Sequence, residues 1–103
     1  IAQGVVDECA ALNVAAHKAD KPGDIGVVVG ATLDNPPRLD ALNGPVLLPG
    51  VGAQGAGPEQ VHSIVSARPS LGFANVSRAV LEQGPAVADL RKAVVRVAEE
   101  FRD

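Results

Sequence analysis

The chain alternates short, uncharged, mostly apolar runs with segments of helical periodicity. The runs cover residues 25–31, 45–48 and 71–76, and the continuous apolar character of the first two predicts strands that are buried on both faces. Strands that alternate with helices pair in parallel through right-handed crossovers. The sequence therefore predicts an α/β fold with a parallel sheet of three strands.

Segments with the spacing of amphipathic helices flank these strands. In the first segment, apolar residues recur every three or four positions from Ile1 to Ala16. In the last segment, between Val87 and Phe101, the apolar residues fall on one side and the charged residues on the other, which predicts packing against the sheet. The alternative, from its heptad-like spacing, is packing against a partner helix. The predicted helices cover residues 1–19, 36–42, 58–67 and the stretch that follows Gly84-Pro85.

The predicted sheet is incomplete by itself. The chain has 103 residues, which is enough for one domain, but three parallel strands leave two unpaired edges that a small complete domain would normally cover. The chain also begins at Ile1, inside a predicted helix. We therefore expect it to be part of a longer polypeptide.

Composition argues against several classes of function. Twelve acidic and nine basic residues give a net charge of -3 without a basic run, and two aromatic residues offer no platform for stacking bases, so nucleic-acid binding is not expected. Cys9, the single cysteine, excludes an internal disulfide and a cysteine-based metal site, and it is interpreted as a small core residue. No apolar stretch approaches the ~20 residues of a membrane span, and no signal peptide is recognisable.

A glycine-rich loop follows the second predicted strand. Residues 50–55 read Gly-Val-Gly-Ala-Gln-Gly and fit G-x-G-x-x-G. Such glycines let backbone N–H groups approach an anion, and the start of a helix adds positive potential. A dinucleotide site is disfavoured because the helix begins only at Pro58 and the third strand ends without the Asp or Glu that binds ribose. The loop is interpreted as a phosphate cradle; a Rossmann-type site and a loop that only makes turns are the alternatives.

Arg78 comes just after the third predicted strand. The carboxyl ends of parallel strands meet at the edge of the sheet where ligands bind, so we expect Arg78 close to the glycine-rich loop. Arginine binds phosphate bidentately, and Gln54 can donate from its amide. The alternative for Arg78 is a surface ion pair with Glu82. Thr32 ends the first strand at the same edge, where it would either hydrogen-bond a ligand or cap the turn toward Asn35.

The remaining polar residues form no pattern typical of catalysis. The two histidines, His17 and His62, lie on predicted helices without partners at metal-ligand or triad spacing, so both are interpreted as surface residues. The serines near the predicted strands lack the context of a nucleophile elbow. These serines are Ser63, Ser66, Ser70 and Ser77.

Three segments together resemble a known enzyme family. Residues 28–32 (Val-Val-Gly-Ala-Thr), 49–55 and 75–79 (Asn-Val-Ser-Arg-Ala) are similar to motifs of orotidine 5′-monophosphate decarboxylases, especially the bacterial subfamily found in actinobacteria. The likeness covers nearly the whole chain. It implies a TIM (β/α)8 barrel that converts orotidine monophosphate to uridine monophosphate in pyrimidine synthesis. It further implies a cytoplasmic homodimer that uses no metal or cofactor and forms its active sites at the subunit interface.

The resemblance also implies which part of such a barrel the chain represents. The three predicted strands would be the sixth, seventh and eighth of the barrel, and residues 1–103 would form one C-terminal partial barrel whose N-terminal part is absent. A whole TIM barrel takes ~250 residues. The missing part of the barrel and a second copy of the protein are therefore the expected partners, beside the nucleotide.

The resemblance assigns site residues only where the motifs match. Gln54 and Arg78 match the family's phosphate-binding glutamine and arginine. Thr32 and Pro49 are further candidate substrate contacts. The backbone around the phosphate would come from Gly50, Gly52 and Gly55.

The family's catalytic motif, D-x-K-x-x-D on the third strand of the barrel, has no counterpart. Residues 21–25 (Lys-Pro-Gly-Asp-Ile) echo its second half, but Asp20 directly precedes Lys21 where a spacer is needed, and the stretch precedes the first predicted strand. We interpret the echo as a coincidence. The chain is thus predicted to contain no catalytic residue and to be inactive alone. The alternative is a non-catalytic half-barrel that binds a phosphate ligand and dimerises to cover its edges.

Overall fold

A three-stranded parallel sheet packed against helices forms the protein. A computed structural model describes residues 1–52 and 55–102. The central strand pairs in parallel with both of its neighbours, so the strand order is β1-β2-β3. The elements are α1 (Ala2–Leu12), α2 (Val14–Lys18), β1 (Val27–Val28), β2 (Val46–Leu48), α3 (Pro58–Ile64), a 3₁₀ turn (Pro69–Leu71), β3 (Gly72–Ala74), α4 (Arg78–Leu81) and α5 (Val87–Glu100).

The core lies between one face of the sheet and the helices. Leu48 on β2 and Leu42 shortly before it are the largest fully buried side chains, at 0% and 1% exposure. Val6 of α1 and Val61 of α3 pack into the same cluster, and Phe101 is only partly buried against it. The core is therefore built from branched aliphatic side chains in many small contacts, which agrees with the scarcity of aromatic residues.

The opposite face of the sheet is open, which corrects the expectation that the strands are buried on both faces. Val28 pairs with Leu47, and Leu47 pairs with Phe73, so these three side chains form one row across the sheet. They are 66%, 43% and 51% exposed, respectively. Successive side chains of a strand point to opposite faces, and the described helices cover only one of them.

The prediction of a helix at residues 36–42 is wrong, because this segment forms turns and irregular backbone. Pro37 disfavours the helical conformation of the residue before it. The side chain of Gln3 on α1 then holds the following backbone: its Oε1 accepts from Arg38 N–H at 2.8 Å, and its Nε2 donates to the Arg38 carbonyl at 3.1 Å. Backbone groups bonded in this way are not available to a helix.

The other predicted elements are present with different bounds. The first helix is interrupted at Asn13, the third helix ends at Ile64, and the first and third strands are shorter than predicted. The second strand and the last helix agree with the sequence within two residues. The short helix α4, which begins at Arg78, is an element that the sequence analysis did not predict.

Candidate functional site

The carboxyl ends of the three strands meet at one edge of the sheet. The ladder continues past the strands, since Ala31 N–H donates to the Pro49 carbonyl at 2.9 Å and Asn75 N–H donates to the Leu48 carbonyl at 3.0 Å. These bonds bring the segments after β1, β2 and β3 side by side, as expected for parallel strands. The edge therefore carries Thr32, Pro49 and Asn75 next to one another.

The glycine-rich loop after β2 folds back on itself. Gly50 and Gly52 adopt positive φ angles of 83° and 84°, which glycine accepts readily. Gly52 N–H donates to the Ala56 carbonyl at 3.0 Å, Ala56 N–H to the Gly50 carbonyl at 2.8 Å, and Gly55 N–H to the Gly52 carbonyl at 2.6 Å. The backbone N–H groups of Gly52 and Gly55 are thus bonded within the loop. Both glycines therefore determine the conformation of the loop.

The loop packs directly on the segment that carries Arg78. A Cβ on Gly52 would lie 3.1 Å from Val76 Cγ1 and 3.2 Å from Ala79 Cβ, which is closer than ordinary van der Waals contact. A Cβ on Gly55 would overlap the Gly50 carbonyl oxygen. Glycine at these positions therefore keeps the loop tight and holds it against the end of β3 and the start of α4.

An open cleft of about 350 Å³ lies between the loop and this segment. Arg78 is exposed at the cleft, and its guanidinium makes no hydrogen bond or ion pair with any residue in 1–52 or 55–102. The ion pair with Glu82 is accordingly absent among these residues, where only the Glu82 N–H donates to the Arg78 carbonyl at 2.9 Å. The cleft is lined by Pro49, Gly50, Val51, Gly52, Gly55, Asn75, Ser77 and Arg78.

Two of the predicted site residues are not among these lining residues. Thr32 is exposed beside the loop, since a Cβ on Gly50 would lie 3.7 Å from Thr32 Cγ2, but Thr32 does not line the cleft. Gln54 lies outside the described residues. The structure therefore brings together Arg78, Pro49 and the three loop glycines of the predicted set.

Asn75 and Ser77 line the cleft although the sequence analysis gave neither a role. In the sequence, Asn75 is part of the family motif only, and Ser77 lacks the context of a nucleophile elbow. The available signal was the spacing of Asn75, which follows the exposed Phe73 by two residues and so lies on the face opposite the core, whereas Ser77 directly precedes α4. The spacing of Asn75 was hidden because strand three was the least regular of the apolar runs.

The remaining candidates lie away from the cleft. Lys21 and Asp24 are exposed and precede β1, so they lie toward the amino ends of the parallel strands, opposite the cleft. Cys9 is half-buried against the core, and His17 is exposed on α2. No group of three or more His, Cys, Asp or Glu side chains in residues 1–52 and 55–102 is placed to hold a metal ion. The helices of the same region are all too short or too polar to cross a membrane.

Comparison with known proteins identifies relatives over nearly the full length of the chain. It is 52% identical over 101 residues to an orotidine 5′-phosphate decarboxylase of Corynebacterium efficiens, and 46% identical to one of Corynebacterium glutamicum. Each alignment covers 98% of this chain and 36% of the relative. No protein-family profile matches the chain.

A crystal structure assigned to an orotidine 5′-phosphate decarboxylase from Streptomyces avermitilis has the same fold. It superposes on 99% of this chain with a TM-score of 0.82 and 42% identity, and the match covers 35% of that protein. The expectation of a partial barrel is confirmed by this match together with the parallel α/β sheet. The chain is thus related in sequence and in fold to the orotidine 5′-phosphate decarboxylases, and it spans about a third of the length of these relatives.

Proposed function

We propose that this chain supplies the phosphate-binding part of an enzyme that decarboxylates orotidine 5′-monophosphate to uridine 5′-monophosphate in pyrimidine synthesis. The names of the relatives support the reaction. One observation carries the role of this part: Arg78 reaches the cleft beside the glycine-rich loop without a partner among the described residues. A free guanidinium next to a glycine loop at the carboxyl edge of a parallel sheet is suited to a phosphate group.

The phosphate would contribute to the reaction at a distance from the reacting carbon. Arg78 would bind two phosphate oxygens through its planar guanidinium, and Gln54 would donate from its side-chain amide. Gly50, Gly52 and Gly55 would keep the loop close to the ligand. Binding energy from a remote group lowers the barrier when it holds the reacting part in the geometry of the transition state.

Residues outside this chain would perform the chemical step. The chain would form strands six to eight of a barrel, and the catalytic lysines and aspartates would come from the remainder, since Lys21 and Asp24 lie at the wrong end of the sheet. No cofactor or metal is part of the proposal. Assembly as a homo-oligomer and a cytoplasmic location stay predictions of the resemblance.

The proposal is tested by placing this chain in the Corynebacterium efficiens decarboxylase instead of its matching 101 residues, to which it is 52% identical. The hybrid should decarboxylate orotidine monophosphate. We expect Arg78→Ala to lower kcat/KM for this nucleotide roughly 10- to 100-fold, as expected for the loss of a charged hydrogen-bonding group. The loss should be much smaller for orotidine, which lacks the phosphate.

Two controls complete the experiment. Arg91→Ala removes an exposed arginine of α5, away from the cleft lining, and should leave both substrates unaffected. The isolated chain should show no turnover, and measured turnover would refute the absence of catalytic residues. Equal losses for the two substrates in Arg78→Ala would contradict the phosphate-binding role. A folded hybrid that binds phosphate without turnover would favour the non-catalytic binding module.

A further inference from the structure

We propose that Asn75 is a second side chain by which this site recognises the phosphate group, its amide donating to a phosphate oxygen beside Arg78. This inference rests on the proposed function, because it names a further specificity-determining residue of the same cleft.

The position of Asn75 on the sheet is the first observation. The open face carries the apolar row Val28, Leu47 and Phe73. Two residues further along each strand, toward the carboxyl edge, the same face carries another row. This row consists of Gly30, Pro49 and Asn75.

Asn75 is therefore the one residue of the second row with a side chain that can form hydrogen bonds. Gly30 has no side chain, and proline offers neither a donor nor a polar side-chain atom. The open face changes from apolar to polar at this residue, directly where the face reaches the cleft. An amide in this place contributes nothing to the apolar core, which lies on the other face of the sheet.

The surroundings of Asn75 are the second observation. Its backbone is fixed by the 3.0 Å hydrogen bond from its N–H to the Leu48 carbonyl. Its side chain is exposed, lines the cleft with Ser77 and Arg78, and makes no hydrogen bond to any described residue. A side-chain amide held on a fixed backbone, with both donors unused, is prepared to bind a ligand.

The charges in the cleft indicate phosphate as the group bound. Among the described residues that line the cleft, Arg78 is the one with a charged side chain, and none carries a carboxylate. A dianionic phosphate has several acceptor positions, and a single guanidinium satisfies only some of them. A neutral amide adds donors without adding charge, whereas an aspartate of the same size would repel the ligand.

The test uses the same hybrid decarboxylase, with Asn75→Ala and Asn75→Asp. We expect Asn75→Ala to lower kcat/KM for orotidine monophosphate about 5- to 10-fold, as for the loss of a neutral hydrogen bond. Asn75→Asp should cause a larger loss, roughly 100-fold, because the new carboxylate lies near the phosphate. Neither variant should change the turnover of orotidine. Asn35→Ala, in an exposed turn, is the matched control and should leave both substrates unaffected.

The outcomes separate this inference from the proposed function. If Arg78→Ala weakens nucleotide turnover and Asn75→Ala does not, the role of Asn75 is overturned and the proposed function stands. If both Asn75 variants lower kcat/KM for orotidine as strongly as for orotidine monophosphate, the amide contacts another part of the ligand. The inference is then also overturned. If Arg78→Ala leaves kcat/KM for orotidine monophosphate unchanged, the proposed function itself is contradicted.

An NMR titration of the unsubstituted hybrid tests the inference even if the Asn75 variants fail to fold. The side-chain amide resonance of Asn75 should shift on titration with uridine monophosphate and with inorganic phosphate, but not with uridine. The Asn35 amide should not shift in any titration. An Asn75 resonance that stays unchanged at saturating uridine monophosphate would overturn the inference.

Discussion

Gly44 and Gly4 are the same residue type in opposite surroundings. Gly44 is buried, and a Cβ there would overlap the Ile25 carbonyl oxygen and lie 2.9 Å from Nδ2 of Asn13. Gly4 is exposed on α1, with no atom within 4 Å of the corresponding position. Gly44 therefore permits the close passage of two backbone segments, whereas Gly4 only weakens its helix.

We expect Gly44→Ala to lower the free energy of unfolding by more than ~2 kcal/mol, because backbone must move to admit the methyl group. Gly4→Ala should raise it by up to about 1 kcal/mol through helix propensity. Urea unfolding of the hybrid protein measures both changes. Similar effects of the two substitutions would contradict the packing seen at Gly44.

Arg78 and Asn75 show what a sequence reveals about single residues. The place of Arg78 was predictable, because it follows a strand and parallel strands end at a common edge. The spacing of Asn75 is a weaker signal, since an asparagine in an irregular apolar run is equally typical of a turn. Only the pairing of β3 with β2 assigns Asn75 to the open face and to the cleft.

Between elements, two buried asparagines connect the amino ends of the strands to the helices. Asn13, at the break between α1 and α2, donates through Nδ2 to the carbonyls of Ile25 and Leu42, both at 2.8 Å. Its Oδ1 accepts from Ile25 N–H at 3.2 Å. Asn43 Nδ2 donates to the Lys21 carbonyl at 2.7 Å, and Asn43 Oδ1 accepts from the guanidinium of Arg68 at 2.7 Å. These bonds satisfy backbone groups at a place without regular secondary structure.

Asn13→Ala should lower the free energy of unfolding by about 3 kcal/mol, because it leaves two carbonyls and one N–H without partners near the core. Asn35→Ala, at an exposed site without side-chain hydrogen bonds to the described residues, should change it by less than ~0.5 kcal/mol. Thermal and urea unfolding of both variants in the hybrid protein provide the test. A small effect of Asn13→Ala would show that water replaces its bonds.

The element predictions are confirmed where the local sequence pattern and the tertiary packing agree. Helix α5 has a strong apolar stripe and was predicted well, as was β2, which is buried on its core face. The helix at residues 36–42 failed, because the bonds from Gln3 to Arg38 join residues 35 positions apart, which local spacing does not reveal. Helix α4 was missed because its four residues are too few for a periodic pattern.

For the whole molecule, the open face of the sheet is the dominant feature. The exposed row Val28, Leu47 and Phe73 is apolar and continuous across all three strands. The two outer strands, β1 and β3, each pair on one side only within the described residues. Exposed apolar faces and unpaired edges of this kind promote association.

We expect the isolated chain to self-associate and to bind a hydrophobic dye, and the double substitution Leu47→Lys and Phe73→Lys to reduce both. In the hybrid decarboxylase the same pair should lower stability instead, because the face would be covered there and two buried charges are costly. Sedimentation and dye fluorescence measure the first effect, and unfolding measures the second. A hybrid that tolerates both lysines would contradict the covered face.

The sequence by itself determined the alternation of strands and helices, the parallel pairing, and a glycine-rich loop and an arginine at one edge of the sheet. These follow from local periodicity, turn residues and the handedness of crossovers, which need no knowledge of distant contacts. The tertiary structure alone decided that Asn75 and Ser77 line the cleft, that Gly52 packs on Val76, and that one face of the sheet is open. Each of these depends on which segments lie side by side, and contacts between residues far apart in the chain leave no periodic signal in it.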